Sequence, residues 1–130
     1  MVLPTQKKLV SKLATAKGLD SAHEGAHHWL FERVAAALLA PFAVWVVYSV
    51  LVMRNATYEE FTGWFQNPLH AIGMIVFVLV GFFHAASGLQ VIIEDYVSGH
   101  GKKLVSIIAV KILFGLLAVA SVFSILKMAL

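Results

Sequence analysis

The chain has 130 residues, of which 60% are hydrophobic and only 13% charged, and its mean hydropathy of +0.84 is too high for a water-soluble domain. It contains no cysteine, which excludes disulfides, thiolate metal sites and cysteine nucleophiles. The net charge of +3 does not point to nucleic acid, because the lysines gather at the N-terminus and between apolar segments, where membrane topology needs them.

The composition predicts an all-α integral membrane protein forming a single membrane domain over residues 1–130. It begins with a short N-terminal interfacial segment over residues 1–27. Residues 1–17 hold four lysines and no acid. A helical reading puts Leu9, Val10 and Leu13 on one side and Lys7, Lys8 and Lys12 on the other, as in a helix lying at a membrane surface. The apolar runs are too short for a secretory signal, so no cleavage is expected. Residues 18–33 (GLDSAHEGAHHWLFER) are polar enough for headgroup level.

Three transmembrane helices are expected, over residues 29–53, 68–93 and 104–128. From Val34 to Met53 no charged residue appears for 20 positions, enough to cross ~30 Å of hydrocarbon. Pro41 is expected to kink this first span. Residues 54–67, with Glu59, Glu60, Tyr58, Phe61, Trp64 and Phe65, read as a short amphipathic surface segment. Pro68 opens the second span at a position where its missing N–H does no harm. Gly99 and Gly101 mark the turn into the third. Lys7, Lys8, Lys12, Lys17, Arg33, Lys102 and Lys103 then fall on one side of the membrane, against Arg54 and Lys127 on the other. This distribution predicts the N-terminus inside and the C-terminus outside.

The second span carries the chemistry, in the stretch from His84 to Tyr96 (HAASGLQVIIEDY). On a helix, Gly73, Phe77, Gly81, His84, Gly88, Val91 and Asp95 share one face. His84 and Tyr96 are ~18 Å apart along the axis, so the stretch links mid-membrane to one surface. Two readings of His84 stand. In one, the flanking glycines allow close helix packing and the imidazole hydrogen-bonds a neighbouring helix. In the other, His84 ligates haem iron and the glycines make room for the macrocycle. His70 lies ~21 Å away on the same helix and cannot reach the same iron, so if haem is bound its other ligand should come from another chain.

The remaining candidates also divide. Arg33 is either a positive-inside anchor or the partner of an anionic cofactor group such as a haem propionate. His23, His27 and His28 read as headgroup-level polar residues more readily than as a metal cluster. Asp95 and Tyr96 are either a helix stop with an aromatic-belt residue, or a carboxylate and phenol that hold a quinone and relay protons to it. Lys111 snorkels to the surface or pairs with Glu94, Asp95 or another subunit.

These residues resemble the hydrophobic membrane anchor subunits of succinate dehydrogenase (succinate:quinone oxidoreductase, respiratory complex II). The resemblance is carried by residues 18–33, by the stretch from His84 to Tyr96 with Gly88, Gln90 and the closing Asp95-Tyr96, and by the tail SILKMAL at residues 124–130. It implies that His84 is one axial ligand of a haem b shared with a cytochrome b subunit. It also implies that Arg33 faces a haem propionate, that Tyr96 borders the ubiquinone site, and that Asp95 lies in the quinone and proton region. Ser21 and His28 fall in the matching N-terminal segment without an individual role.

The implied partners are the cytochrome b subunit, an iron-sulfur subunit carrying the iron-sulfur clusters and a flavoprotein subunit carrying FAD, with membrane lipid around them and no nucleic acid. Assembly of the heterotetramer into a trimer stays open. The chain itself is expected to be a non-catalytic subunit in the bacterial cytoplasmic (inner) membrane, the mitochondrial inner membrane being the second choice. Two rival readings are a haem-free structural anchor of a succinate dehydrogenase or fumarate reductase complex, and a small stand-alone transporter. The transporter reading suffers from the lack of inward polar residues in spans one and three.

Overall fold

The computed structural model describes the backbone of residues 4–130 and the side chains of residues 25–130. All regular structure among the described residues is helical: α1 (Pro4–Met53), α2 (Tyr58–Gln66), α3 (Pro68–Tyr96) and α4 (His100–Ala129). Three stretches are long and apolar enough to cross a membrane, Gly25–Met53, Pro68–Tyr96 and His100–Ala129. Their number is the one expected from the sequence.

The chain divides into two compact units, Met1–Val34 and Ala35–Leu130. The first is the N-terminal part of α1. Its backbone is helical from Pro4, but the lysine and leucine faces read from residues 7–13, and Ser21 and His23, lie outside the described side chains. In the second unit α1 stays helical through Pro41.

Local sequence accounts for where the helices of the second unit start and stop. Thr57 caps α2 with a reciprocal box. Its hydroxyl accepts the Glu60 N–H at 3.3 Å, and its own N–H donates to Glu60 Oε2 at 2.8 Å. The segment expected as an amphipathic surface stretch is thus a nine-residue helix. Asn67 caps α3 by accepting the Leu69 N–H at 3.0 Å, and Pro68 takes the first helical position. α3 runs past the apolar stretch to end at Tyr96. The chain then turns through Gly99, whose φ of +95° disfavours any residue with a side chain. Gly101, read from sequence as part of that turn, instead lies inside α4, because helix begins again at His100.

α3 and α4 pack along one another, and α2 closes the end where α3 begins and α4 finishes. There Phe65, Ala71 and Ile125 are buried, surrounded by Trp64, Met74, Val78 and Met128. α1 joins through a few large side chains. Trp45 stacks on Trp64 with centroids 5.5 Å apart, and its ring tip lies 3.1 Å from where a Cβ on Gly73 would stand. Serine hydroxyls on the spans bond the carbonyl four residues back, Ser49 to Trp45, Ser121 to Leu117 and Ser124 to Ala120. Those hydroxyls are thereby satisfied where no water is at hand.

Of the most apolar window in each span, only 6%, 6% and 0% of residues are buried. Lipid tails are as apolar as leucine, so the hydrophobic effect gives these helices no reason to close on themselves. Most of their surface is left uncovered by the described residues of the chain.

Candidate functional site

His84 is half-buried on α3, and its Nδ1 is inaccessible to solvent without any hydrogen-bond partner among the described residues. Buried polar atoms are almost always paired, because an unmade hydrogen bond costs about 1–3 kcal/mol. The His84 Nδ1 is enclosed by its own chain, and no hydrogen bond or ion pair joins either ring nitrogen to the described residues, so Nε2 is the atom through which the imidazole could meet another group. The two flanking glycines differ. A Cβ on Gly81 would meet Leu39 Cδ2 of α1 at 3.8 Å, whereas one on Gly88 would meet nothing within 4 Å. Open space beside His84 thus lies on its Gly88 side. Phe77, on the same face, is half-buried, and Phe82 packs on Phe114 of α4 with centroids 5.8 Å apart.

Three turns further on, Asp95 and Tyr96 occupy the last turn of α3. Both are exposed, Tyr96 at 84%, and neither side chain has a partner among the described residues. The turn beneath them is held tightly. Val97 N–H closes onto Ile93 O at 3.0 Å, Gln90 donates to Glu94 Oε1 at 2.7 Å, and Lys103 Nζ from α4 donates to Glu94 O at 2.7 Å. A helix leaves its last carbonyls without intrahelical donors, and here Lys103 supplies one.

The remaining candidates have contacts of their own. Arg33 belongs to the first unit, where its guanidinium lies 5.1 Å from the centroid of the Trp29 ring, a cation–π contact one helical turn apart. In the same unit His28 Nδ1 approaches Glu32 Oε1 at 3.6 Å. Among the described residues no three His, Asp or Glu side chains converge as a metal site would require. His70 is engaged at the far end of α3. It stacks on Trp64 with centroids 4.2 Å apart, and its Nδ1 lies 3.0 Å from Trp64 O. Lys111 is exposed on α4 and pairs with neither Glu94 nor Asp95.

Two features have no counterpart in the sequence reading. Lys103 reads there only as a topological charge, although nine residues from Glu94 across a short turn is a spacing that returns one helix's start to the previous helix's end. The Trp45, Trp64 and His70 cluster joins three elements and has no local signal.

Residues 7–118 match the family model described as succinate dehydrogenase/fumarate reductase transmembrane subunit. The chain is also similar to proteins named succinate dehydrogenase hydrophobic membrane anchor subunit. It is 33% identical to that of Rickettsia bellii over 85% of this chain and 88% of the relative. The figures are 33% over 78% and 82% for Rickettsia conorii, and 32% over 95% of both chains for Paracoccus denitrificans. No solved structure matches. With a family model covering most of its length and relatives aligned nearly end to end, the chain belongs to the succinate dehydrogenase/fumarate reductase transmembrane subunit family.

Proposed function

We propose that the chain is the hydrophobic membrane anchor of a succinate dehydrogenase, that it supplies one axial ligand to a haem b shared with a cytochrome b subunit, and that it forms part of the ubiquinone-reducing site. The observation that carries the haem reading is the His84 imidazole, without a hydrogen-bond partner among the described residues, beside the open flank at Gly88; with Nδ1 enclosed by the chain, Nε2 is the nitrogen that would hold the iron. These residues fit the group: an imidazole whose hydrogen bonding is unmet within its own chain, and room next to it. A haem bound there supplies a one-electron centre within the membrane. Arg33 enters the same reading as a partner for propionate on the strength of resemblance, not of position.

The chain's own residues act chiefly at the Tyr96 end. Reducing ubiquinone to ubiquinol takes up two electrons and two protons, and the protons must come from the aqueous side. The exposed Tyr96 phenol donates a hydrogen bond to a quinone carbonyl and favours the charge that develops on it. Asp95, exposed beside it, is the carboxylate through which protons pass to that phenol or to the quinone oxygen. Electrons reach this end from a flavoprotein with FAD and an iron-sulfur subunit, which this chain docks. It is not itself catalytic. Relatives from Rickettsia and Paracoccus support placement in a bacterial cytoplasmic membrane, and the lysine distribution supports an N-terminus on the cytoplasmic side.

Two substitutions in the assembled complex test this. His84→Leu is expected to abolish or shift the b-type absorption and spin-resonance signals, and an unchanged spectrum would remove the ligand assignment. Tyr96→Phe is expected to slow succinate-dependent ubiquinone reduction while leaving electron transfer to a soluble acceptor intact. Equal loss in both assays assigns the effect to misassembly instead.

A further inference from the structure

We infer that Lys103 is a positioning residue for quinone reduction, fixing from α4 the last turn of α3 that presents Asp95 and Tyr96. The inference rests on the proposed quinone role of those two residues.

Glu94 is the point at which the two helix ends are joined. Its carboxylate is taken by Gln90 Nε2 at 2.7 Å and its carbonyl by Lys103 Nζ at 2.7 Å. The next two residues are Asp95 and Tyr96, whose side chains are exposed and unpartnered among the described residues. Lys103 is itself anchored, since its backbone N–H donates to Gly99 O at 3.0 Å in the first turn of α4, and its side chain is half-buried. The ammonium therefore ties two helix ends across a turn whose other marked constraint is Gly99 at φ +95°. A cation at a helix C-terminus also offsets the partial negative charge gathered there. Without the tie, the last turn of α3 frays, as helix ends do when their carbonyls lose their donors. The Tyr96 phenol then samples several directions, and a quinone must pay to select one.

Lys102 provides the control. It carries the same charge at the same end of the same helix, but it is exposed and makes no hydrogen bond or ion pair with α3. A purely topological or electrostatic role is shared by both lysines, whereas the carbonyl bond belongs to Lys103 alone.

The test compares Lys103→Met, Lys103→Arg, Lys102→Met and Tyr96→Phe in the assembled complex. It measures KM and kcat for a short-chain ubiquinone, the rate with a soluble acceptor, and the haem spectrum. Lys103→Met is expected to raise the quinone KM roughly five- to tenfold, the scale of one lost hydrogen bond at an exposed site, with the soluble-acceptor rate unchanged. Lys103→Arg, which keeps a charged donor within reach of the same carbonyl, is expected to restore KM. Lys102→Met is expected to leave it unchanged. An unchanged KM in Lys103→Met, a matching rise in Lys102→Met, or parallel losses with quinone and soluble acceptor each overturn the inference. If Tyr96→Phe alone raises KM, the quinone reading stands and only Lys103 is dismissed. If Tyr96→Phe is silent, the quinone reading itself fails.

Discussion

Around Pro68 the side chains of α3 meet partners from their own chain. His70 is stacked on Trp64 and bonded to its carbonyl, Gly73 receives the ring of Trp45, and Ala71 is buried with Phe65 and Ile125. Around His84 to Tyr96, on the same helix, the imidazole nitrogen is unpaired, Gly88 faces open space, and the carboxylate and phenol stand exposed. What is satisfied there is the backbone, by Val97 and Lys103, and the Glu94 carboxylate, by Gln90. One end thus stabilises the fold within this chain, while the other has its backbone tied but leaves the His84, Asp95 and Tyr96 side chains without partners among the described residues. In a membrane, where burial of apolar surface gives helices little preference for each other over lipid, such a division is what a subunit of a larger assembly requires.

The largest effect should come from filling the two glycines that mark this contrast. Gly73→Leu forces a side chain into the Trp45 ring, an internal clash of the overpacking kind worth about 1–3 kcal/mol. It is expected to lower the thermal stability of the purified complex while the haem spectrum keeps its shape. A Cβ at Gly88 meets nothing within 4 Å, so Gly88→Leu is expected to leave the chain's own fold intact, yet on the proposed haem reading to strip most of the haem or block assembly with the cytochrome b subunit. Haem content and subunit stoichiometry measured side by side separate the two. Should Gly88→Leu assemble with full haem, the open flank beside His84 is not where the outside partner sits.

A middle-sized effect is expected from Trp45→Ala. The ring contacts Trp64 at 5.5 Å, nearly parallel, and Phe42 at 6.2 Å, edge to face. Losing two such pairs at ~0.5–1.5 kcal/mol each amounts to about 2 kcal/mol. It should appear as a lower unfolding midpoint in detergent with quinone KM unchanged. A raised KM instead would mean that the Pro68 end is coupled to the Tyr96 end, and would break the contrast.

How far these ends are legible in the sequence follows from the kind of interaction each uses. The spans can be read because a charge-free run of 20 residues has few alternatives, and His84 stands out because an ionisable group within such a run is costly. Gly81 and Gly88 look equivalent in sequence, three and four residues from His84, but one faces Leu39 and the other nothing. Helix spacing fixes a face and says nothing of which neighbour covers it. The role of Lys103 is hidden because its acceptor is a main-chain carbonyl, which every residue has and no sequence marks. The cluster of Trp45, Trp64 and His70 depends on three elements meeting, and no local pattern encodes that. The helix α2 is a different case, since Thr57 and Glu60 carry the spacing of a capping box, a signal present in the sequence but overshadowed by the aromatic composition of the segment.

That box gives the smallest effect, at a site belonging to neither end's chemistry. Glu60 accepts hydrogen bonds from the Thr57 backbone N–H and then from its hydroxyl, and these hold its carboxyl below the ordinary glutamate value of 4.5. A carboxylate whose value is lowered by folding contributes stability that is complete above the unfolded value and lost as pH falls through the folded one. Wild-type stability should therefore decline on acidification below 4.5 through this group. Glu60→Gln, which no longer titrates, should lose that part of the slope. Thr57→Ala removes the hydroxyl but keeps the backbone N–H, so it should lower the neutral-pH stability by about 0.5 kcal/mol while retaining part of the acid slope. Unfolding midpoints followed from neutral pH into the acid range distinguish the three proteins. If Thr57→Ala erased the slope entirely, the hydroxyl rather than the backbone N–H would be the group that holds the Glu60 carboxylate.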